Sequence, residues 1–466
     1  MIVIPIAFLT FIAIYALASS TKNRKEDAAA APPPSIRGLV ERIAGHEVCN
    51  EKINALSLKS KNTLITSRAG GGKTMIIALK MALEVNAGVE SDRLLALSFN
   101  KNAASGLGER LKKYGAKNVP SATFHSLAYQ IVRPKQGSLV EGVAQRDILR
   151  ELLGSSINED GLDSILSFIS SAKHKGLDPD TLLKRAKSIG TGAQMAVNAY
   201  AGYIEHLRLH GLIDFDDLIE LATLKLKNTD TLPTIRLKDK TCNLNSLKLI
   251  CIDEFQDFSR PFYELIKALK DKNSSMGLYC VGDDWQAING FAGSDLAYFH
   301  NFDAYFGNSA KANLLTNFRS GKEIVEYANS QMKGLGSGGI ASHGGGKVEL
   351  AKVDVTQGNI YVRDGIKRVI NSLGGSPLVL SRRNELYGQD LTMWQEEMPK
   401  AKFLTIHRAK GMESNTVILV RENRISQANS QLDALLNIKP DDVEQEERRI
   451  AYVAFTRARH RLVIIN

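Results

Sequence analysis

Hydrophobic and polar positions along the chain divide it into short apolar runs and longer segments with helical spacing. Four apolar runs in the first half predict buried strands, at residues 62–66, 93–98, 247–252 and 278–281. Polar or glycine-rich residues and a helical pattern follow each run. Near-continuous apolar strands are typical of a parallel sheet that is covered on both faces. The pattern therefore predicts an α/β domain.

A long segment between the second and third strands, residues 126–226, has apolar residues at three- and four-residue spacing. This spacing indicates amphipathic helices. In the second half, strands are predicted at residues 377–381, 403–406, 416–420 and 461–465. A helix is predicted at 444–459 and a glycine-rich loop at 334–346. Two α/β domains are expected, the first interrupted by a helical insertion.

The first 21 residues are almost wholly apolar and carry no charge, and Lys22, Arg24 and Lys25 follow at once. A bilayer core of about 30 Å needs about 20 apolar residues as helix. We predict an uncleaved transmembrane anchor at 1–21 with the following chain in the cytoplasm. A cleaved signal peptide is one alternative, but the segment lacks a basic start. A soluble cytoplasmic protein is another. Residues 22–36, with "EDAAAAPPPS", are predicted to be a linker.

Composition narrows the class of protein only slightly. Lys+Arg number 60 and Asp+Glu 50 among 466 residues, a net charge of +10 that suits a polyanionic partner. The four cysteines are scattered, with no C-x-x-C pair. This argues against a zinc site or a disulfide framework, and for a reducing compartment.

The stretch "ITSRAGGGKTM" lies between a predicted strand and a predicted helix and predicts a phosphate-binding loop. Glycines let backbone N–H groups converge on phosphate oxygens, Lys73 would contact the β- and γ-phosphates, and Thr74 would bind Mg²⁺. Ser67 stands where the usual pattern has its first glycine. The predicted ATP-binding loop consists of Ser67, Arg68, Ala69, Gly70, Gly71, Gly72, Lys73 and Thr74.

Two acidic residues, Asp253 and Glu254, directly follow the apolar run "LICI" in "LKLICIDEFQD". A nucleotide hydrolase needs one carboxylate at the end of a buried strand for the metal and another group for the attacking water. We predict that Asp253 holds Mg²⁺ and that Glu254 activates water. The alternative is an acidic helix start, stabilised by the helix dipole.

Eight motifs support a family resemblance: "SRAGGGKT", "LSFNKNAA", "TFHSL", "DEFQD", "VGDDWQAINGFAGSD", "NFRS", "TIHRAKGME" and "EERRIAYVAFTRARHRL". Their order resembles that of superfamily 1 DNA helicases of the UvrD/Rep type. "VGDDWQ" and "TRARHR" most resemble the DNA helicase IV branch. The resemblance covers about residue 51 to the C-terminus.

The resemblance implies two RecA-like P-loop domains with parallel sheets. The first, 1A, would comprise residues 37–125 and 246–310, interrupted by the helical insertion 1B at 126–245. The second, 2A, would comprise 311–466. Only about 25 residues separate Pro377 from Lys402, where the wider family inserts its 2B subdomain. We therefore expect most of 2B to be lacking, and no appended nuclease.

Residue roles are carried over from the family motifs by position. Gln286 would sense the γ-phosphate, and Arg319 and Arg457 would be arginine fingers from the second domain. Glu413 would contact the ribose, and Phe318 would stack on adenine. The expected catalytic set is Lys73, Glu254, Gln286, Arg319 and Arg457.

One position departs from the family pattern at a residue that would recognise the adenine base of ATP. Lys52 stands at the spacing where family members have a glutamine that reads adenine. Adenine selectivity is therefore open.

A nucleic-acid track is also implied by the resemblance. The DNA-binding candidates are Phe99, Asn100, His125, Phe291 and His407. Stacking on aromatic rings tolerates any base, and neighbouring basic residues, Lys101, Arg408 and Lys410, could meet phosphates. An ordinary core position is the alternative for Phe99 and Phe291.

The expected activity is an ATP- and Mg²⁺-dependent translocase or helicase on single-stranded DNA, moving 3′→5′. RNA is not excluded as the strand. One alternative is a non-unwinding, ATP-switched clamp or protein-displacing factor at a membrane. A degenerate, inactive family member is another.

Overall fold

The computed structural model describes residues 35–154, 157–290, 293–353, 359–373, 375–382, 391–421 and 430–465. The predicted anchor at 1–21, most of the linker and Phe291 lie outside the described residues. Over the ranges described, no helix combines the length and apolar character needed to cross a membrane.

The first α/β domain is built from two parts of the chain. Its first part contains α1 (Ile36–Ala44), α2 (Asn50–Ser57), β1 (Asn62–Ser67), α3 (Lys73–Asn86), β2 (Leu94–Ser98), α4 (Lys101–Lys113), β3 (Ser121–Thr123) and α5 (Phe124–Val132). Next come α6 (Val143–Leu153), α7 (Glu159–Lys175), α8 (Pro179–Ile189), α9 (Thr191–His210) and α10 (Phe215–Asn228). Its second part contains β4 (Thr234–Leu237), β5 (Lys240–Asn243), β6 (Leu249–Ile252), α11 (Arg260–Lys272), β7 (Gly277–Gly282), α12 (Ala297–His300), α13 (Phe302–Phe306) and β8 (Ser309–Leu314).

A parallel sheet with the strand order β3-β2-β6-β7-β1-β8 forms the centre of this domain. Successive residues of a strand point to opposite faces. Leu95 and Leu97 of β2 therefore pack into one apolar core, and Leu94 and Ala96 into the other. Because an apolar core covers each face of the sheet, the strands consist of nearly continuous apolar residues. The carboxyl ends of β1, β6 and β7 lie at one edge of the sheet. The predicted nucleotide-site residues of this domain come directly after these three strands in the chain.

The helical insertion has a core of its own, formed by α6 to α9. In contrast, α5 and α10 pack into the core of the first sheet. An antiparallel hairpin, β4–β5, also lies within the stretch 126–245 and was not predicted. Leu435 and Leu436 of the second half complete the insertion's core, so the insertion contacts both halves of the chain.

The second α/β domain again has a parallel sheet, with the order β11-β15-β14-β12-β13. Its elements are β9 (Thr316–Asn317), α14 (Lys322–Gln331), β10 (Ile340–Ala341), β11 (Lys347–Ala351), α15 (Asn359–Leu373), β12 (Leu378–Ser381), α16 (Leu391–Glu397), β13 (Lys402–Thr405), β14 (Ser414–Val420), α17 (Ser430–Leu435), α18 (Pro440–Phe455) and β15 (Ala458–Ile465). The prediction of an α/β chain with parallel sheets is confirmed.

Several element boundaries differ from the predicted ones. The helix predicted at 444–459 is α18, which begins at Pro440 and ends at Phe455. Proline and acidic residues at the start of a helix favour this earlier beginning. The predicted loop 334–346 contains the short strand β10, which pairs with β9. β8 runs through the predicted domain boundary at 310 and belongs to the first sheet.

Candidate active site

The phosphate-binding loop joins β1 to α3 and packs closely against the residues after β8. Gly70 and Gly72 have φ angles of +74° and +90°, in the left-handed region that favours glycine. A Cβ added at Gly70 would lie 2.4 Å from Oδ1 of Asn317. The backbone of Phe318 donates a hydrogen bond to the carbonyl of Gly70 (3.1 Å). Glycine is thus required here by conformation and by close approach.

At the start of α3, two residues meet the carboxylates that follow β6. Thr74 Oγ1 donates to Asp253 Oδ2 at 3.0 Å, and Lys73 Nζ lies 3.2 Å from Glu254 Oε2. Glu254 has a φ of 56°, a left-handed conformation that is costly for a residue other than glycine. Strained backbone of this kind is concentrated at functional sites.

The two carboxylates have opposite pKa shifts. Burial and the neighbouring charge of Glu254 raise the pKa of Asp253 to about 7. Burial also acts to raise the pKa of Glu254, but the charges of Lys73 and Lys410 outweigh it and lower that pKa to about 2. Glu254 is therefore ionised at neutral pH, as a group that accepts a proton from water must be.

These residues open into a cleft of about 860 Å³ between the two sheet domains. Its lining includes the phosphate-binding loop, Lys73, Thr74, Glu254, Gln286, Phe318, Arg319, Glu413 and Arg457. The donor set fits Mg²⁺–ATP: a glycine cradle and cations for phosphates, and a hydroxyl beside a carboxylate for the metal. When bound, the metal would offset phosphate charge.

Arg457 enters the cleft from the second domain just after α18. It is 1% exposed and donates to the carbonyls of Val453 (2.8 Å) and Met412 (3.1 Å). Its Nη2 lies 3.4 Å from Oε1 of Gln286 in the first domain. Burial and the charge of Arg319 lower the pKa of Arg457 to about 9, so it stays charged at neutral pH.

If Arg457 is the predicted arginine finger of an ATP hydrolase, Arg457→Lys should lower the kcat of ATP hydrolysis by about 100-fold, the scale of losing one preorganised stabilising donor. Lysine keeps the charge but cannot reproduce a planar fork that bonds several partners. Steady-state phosphate release measures the effect. Arg448→Lys is the matched control, because Arg448 donates to Gln331 and Lys333 carbonyls outside the cleft. Equal rates for the two variants would contradict the expectation.

Arg319 and Glu413 are both predicted site residues. They belong to the second domain and form an ion pair with each other. Arg319 Nε lies 2.5 Å from Glu413 Oε2 and Arg319 Nη1 donates to the Thr456 carbonyl at 3.0 Å. Arg459 also bonds Glu413. The pair holds the Arg319 guanidinium at the cleft, and in this arrangement both Glu413 oxygens are engaged by arginines.

Phe318 is 47% exposed at the cleft. The ammonium of Lys52 lies 4.1 Å from the centroid of its ring, a cation–π contact. The residue that replaces the family's glutamine thus lies beside the ring that is predicted to stack on the base. A lysine offers donors only, whereas a glutamine offers both donor and acceptor.

Arg68, predicted as part of the ATP-binding loop, pairs through its side chain with two aspartates that follow β7. Its Nη1 lies 2.7 Å from Asp283 Oδ1 and 2.5 Å from Asp284 Oδ1, and Nε donates to the Ser337 carbonyl at 2.7 Å. The guanidinium also lies over the ring of Trp285 (4.1 Å). Arg68 therefore links the loop after β7 to the second domain. Asp283 and Asp284 were not predicted as partners.

Lys410 lies between the two sheet domains. It was a candidate for phosphate contact, but its Nζ lies 2.8 and 2.7 Å from the two carboxylate oxygens of Asp257. Burial raises the pKa of Asp257, and the charge of Lys410 opposes this shift. Lys410 is therefore engaged in an ion pair between the two domains.

The DNA-binding candidates that the structure describes differ in how deeply they are buried in the core. Phe99 is half-buried, with its ring 5.2 Å from that of Phe124 and 5.4 Å from that of Phe262. Asn100 is exposed and its Oδ1 caps α4 by accepting from Ala103 N at 2.8 Å. Phe99 thus contributes to packing, whereas Asn100 lies at the open carboxyl edge of the sheet.

Two histidines complete that set. Burial lowers the pKa of His125, whose ring packs edge-on against Phe215 at 5.3 Å. His407 Nε2 lies 3.1 Å from the Ile288 carbonyl, and burial with the charge of Arg382 lowers its pKa to about 4. Both rings are therefore neutral at neutral pH. Phe291, the remaining candidate, lies outside the described residues.

Fold and site together define a P-loop protein whose phosphate cradle in one parallel-sheet domain faces arginines of a second. The UvrD/REP helicase N-terminal domain matches residues 49–307, and the UvrD-like helicase C-terminal domain matches residues 380–466. The chain belongs to the UvrD/Rep helicase family, and the predicted resemblance is confirmed.

The curated proteins that are similar to this chain include three DNA helicases. DNA helicase IV of Escherichia coli (strain K12) is 26% identical over 86% of this chain and 65% of its own length. ATP-dependent DNA helicase Rep of Buchnera aphidicola subsp. Acyrthosiphon pisum (strain APS) is 32% identical over 59% of this chain and 44% of its own. PcrA of Bacillus subtilis (strain 168) is 30% identical over 58% and 37%. The chain thus spans less than two thirds of each of these relatives.

Proposed function

We propose that the chain is an ATP-driven motor on single-stranded DNA, with both sheet domains of the RecA-like class. ATP with Mg²⁺ would bind in the cleft, held by the phosphate-binding loop, Thr74 and Asp253. Glu254 would orient and deprotonate the attacking water, and Arg319 and Arg457 would stabilise the charge that develops during phosphoryl transfer. The observation that carries this proposal is the cleft itself, which brings first-domain carboxylates and second-domain guanidiniums together.

Movement along a strand would follow from the two-domain construction of the site. Because Gln286 and Arg457 lie on different domains and meet at 3.4 Å, a nucleotide between them would draw the domains together. Hydrolysis would release them. DNA bound along the carboxyl edge, at Asn100 and His125, would be shifted by this cycle, in the 3′→5′ direction that the family resemblance implies.

Lys73→Ala tests the nucleotide site. We expect it to lower DNA-stimulated ATP hydrolysis by about 100-fold, because a charged donor to the phosphates is lost. Phosphate release with and without oligodeoxythymidine measures the effect. Lys80→Ala removes the same charge two turns along α3, where Lys80 pairs with Glu84. Unchanged turnover in Lys73→Ala would refute the assignment of the cradle.

A second candidate function is a non-unwinding clamp or protein-displacing factor. The stretch between β12 and β13 is short, and the structure describes the helix α16 (Leu391–Glu397) in it. The wider family inserts its 2B subdomain at this place, and the expected lack of most of that subdomain favours a function without strand separation. A strand-displacement assay separates the two functions. Hydrolysis stimulated by DNA without strand separation would favour the clamp.

Membrane attachment through residues 1–21 is a separate proposal, supported by the uncharged apolar sequence and the cations after it. Fractionation of cells that express the full chain and a variant without residues 1–36 tests it. Full chain in the membrane fraction and truncated chain in the soluble fraction are expected. Equal distribution of the two would support the soluble, cytoplasmic alternative.

A further inference from the structure

A pocket of about 480 Å³ lies beside β3, the edge strand of the first sheet. Lys101 at the start of α4 and His125 and Tyr129 of α5 line one part of it, and Phe215 and the hairpin residue Lys238 close it. We call it the hairpin pocket. In open α/β sheets, ligands bind at the carboxyl ends of the strands, and the hairpin pocket lies at that edge.

An aromatic surface suited to stacking is present in the hairpin pocket. Tyr129 is 43% exposed, although large aromatic rings usually bury most of their surface. It lies one helical turn after His125, whose ring packs on the half-buried Phe215. The exposed ring thus continues the line of predicted DNA contacts.

Two cations, Lys101 and Lys238, stand at the rim of the same pocket, and both are exposed. Within the described lining of the hairpin pocket there is no carboxylate. Lys238 lies in the β4–β5 turn with a φ of 57°, and the hairpin places this residue in the lining of the pocket. A ring for a base and ammonium groups for its phosphates form the combination that binds single strands.

A larger neighbouring cavity of about 730 Å³ differs from the hairpin pocket in its chemistry. It shares Lys238 with the hairpin pocket, but its lining mixes three carboxylates, of Asp92, Glu109 and Asp239, with the ammonium groups of further lysines. The residues described in this lining include no aromatic ring on which a base could stack. Between these two cavities, the combination of an exposed ring and unopposed cations is therefore confined to the hairpin pocket.

We propose that the hairpin pocket binds one or two further nucleotides of single-stranded DNA beyond the contacts at Asn100 and His125. Tyr129 stacks on a base, and Lys101 and Lys238 contact phosphates. This inference rests on the proposed function and adds a site to the strand path. The hairpin, which lies outside the motifs that carry the family resemblance, forms the wall of that site.

The test measures fluorescence anisotropy of oligodeoxythymidines of about 6 and about 16 nucleotides, within the range of known single-strand site sizes. Tyr129→Ala is expected to raise the Kd for the long oligonucleotide about tenfold, which corresponds to a loss of about 1.4 kcal/mol. The Kd for the short one stays unchanged. Tyr129→Phe, which keeps the ring, should bind both as the wild type does.

Lys238→Glu provides an independent readout. It should weaken binding of the long oligonucleotide and reduce the slope of log K against log salt by about one. Lys59→Glu is the matched control, since Lys59 is exposed before β1 at the opposite edge of the parallel sheet. A reduced slope for Lys238→Glu alone supports the proposal.

Three outcomes would overturn the inference. If Tyr129→Ala and Lys238→Glu bind the long oligonucleotide as Lys59→Glu does, while DNA still stimulates wild-type hydrolysis, the pocket is wrong and the proposed function stands. If DNA fails to stimulate wild-type hydrolysis at any length, the proposed function fails and the inference with it. If only RNA gains affinity with length, single-stranded DNA is the wrong occupant.

Discussion

Glu254→Gln is expected to lower DNA-stimulated ATP hydrolysis by about 10²- to 10⁴-fold, the usual contribution of a general base. Glutamine keeps the size of the side chain but cannot accept the proton of the attacking water. Because the charges of Lys73 and Lys410 keep the pKa of Glu254 near 2, the wild-type group is ionised across the whole neutral range. The loss should therefore be similar from about pH 6 to pH 8.

ATP binding should survive this change. The phosphate cradle and the Thr74–Asp253 pair are untouched, so titration with a fluorescent ATP analogue should give a Kd close to that of the wild type. Glu264→Gln is the matched control, because Glu264 lies on the surface of α11 and pairs with Lys227. If Glu254→Gln hydrolysed ATP at the control's rate, the role of Glu254 would be refuted.

Lys410→Ala is expected to lower the free energy of unfolding by about 3–5 kcal/mol, the cost of leaving a buried charge unpaired. Lys410 and Asp257 are only 12% and 7% exposed, so water cannot replace the missing ammonium. The pair joins the two sheet domains, and its loss should also weaken their association. Chemical denaturation followed by tryptophan fluorescence measures the change.

A double variant separates the cost of the unpaired charge from any loss of packing. Lys410→Met with Asp257→Leu removes both charges and should recover most of the lost stability, because apolar replacement of a buried pair is often neutral. Lys227→Ala, which breaks the exposed Lys227–Glu264 pair (2.9 Å), should cost about 1 kcal/mol or less. A similarly small cost for Lys410→Ala would contradict the account of this ion pair.

Sequence patterns predicted the features that depend on neighbouring residues. A strand, a glycine loop and a helix in succession predicted the phosphate cradle, and an apolar strand before Asp253 and Glu254 predicted their position at its carboxyl end. The structure places these groups together, with Lys73 3.2 Å from Glu254. Local order along the chain was enough, because parallel strands present their carboxyl ends at one edge.

Features that depend on residues far apart in the chain were missed. Lys410 and Asp257 are 153 positions apart, and neither charge alone indicates the other as a partner. The same holds for Arg68, whose aspartate partners lie 215 and 216 positions away. The β4–β5 hairpin was missed for a different reason: its strands span only four residues each and include several polar ones.

The central claim is that ATP hydrolysis in the cleft is coupled to the binding of single-stranded DNA. The wild-type chain provides the most direct test of this claim. ATP hydrolysis should be measured while oligodeoxythymidine is added. If closure of the cleft on ATP is coupled to the bound DNA strand, the rate of ATP hydrolysis should be low without DNA and should rise with DNA to a plateau. A rate that stays the same at every DNA concentration would contradict the coupling.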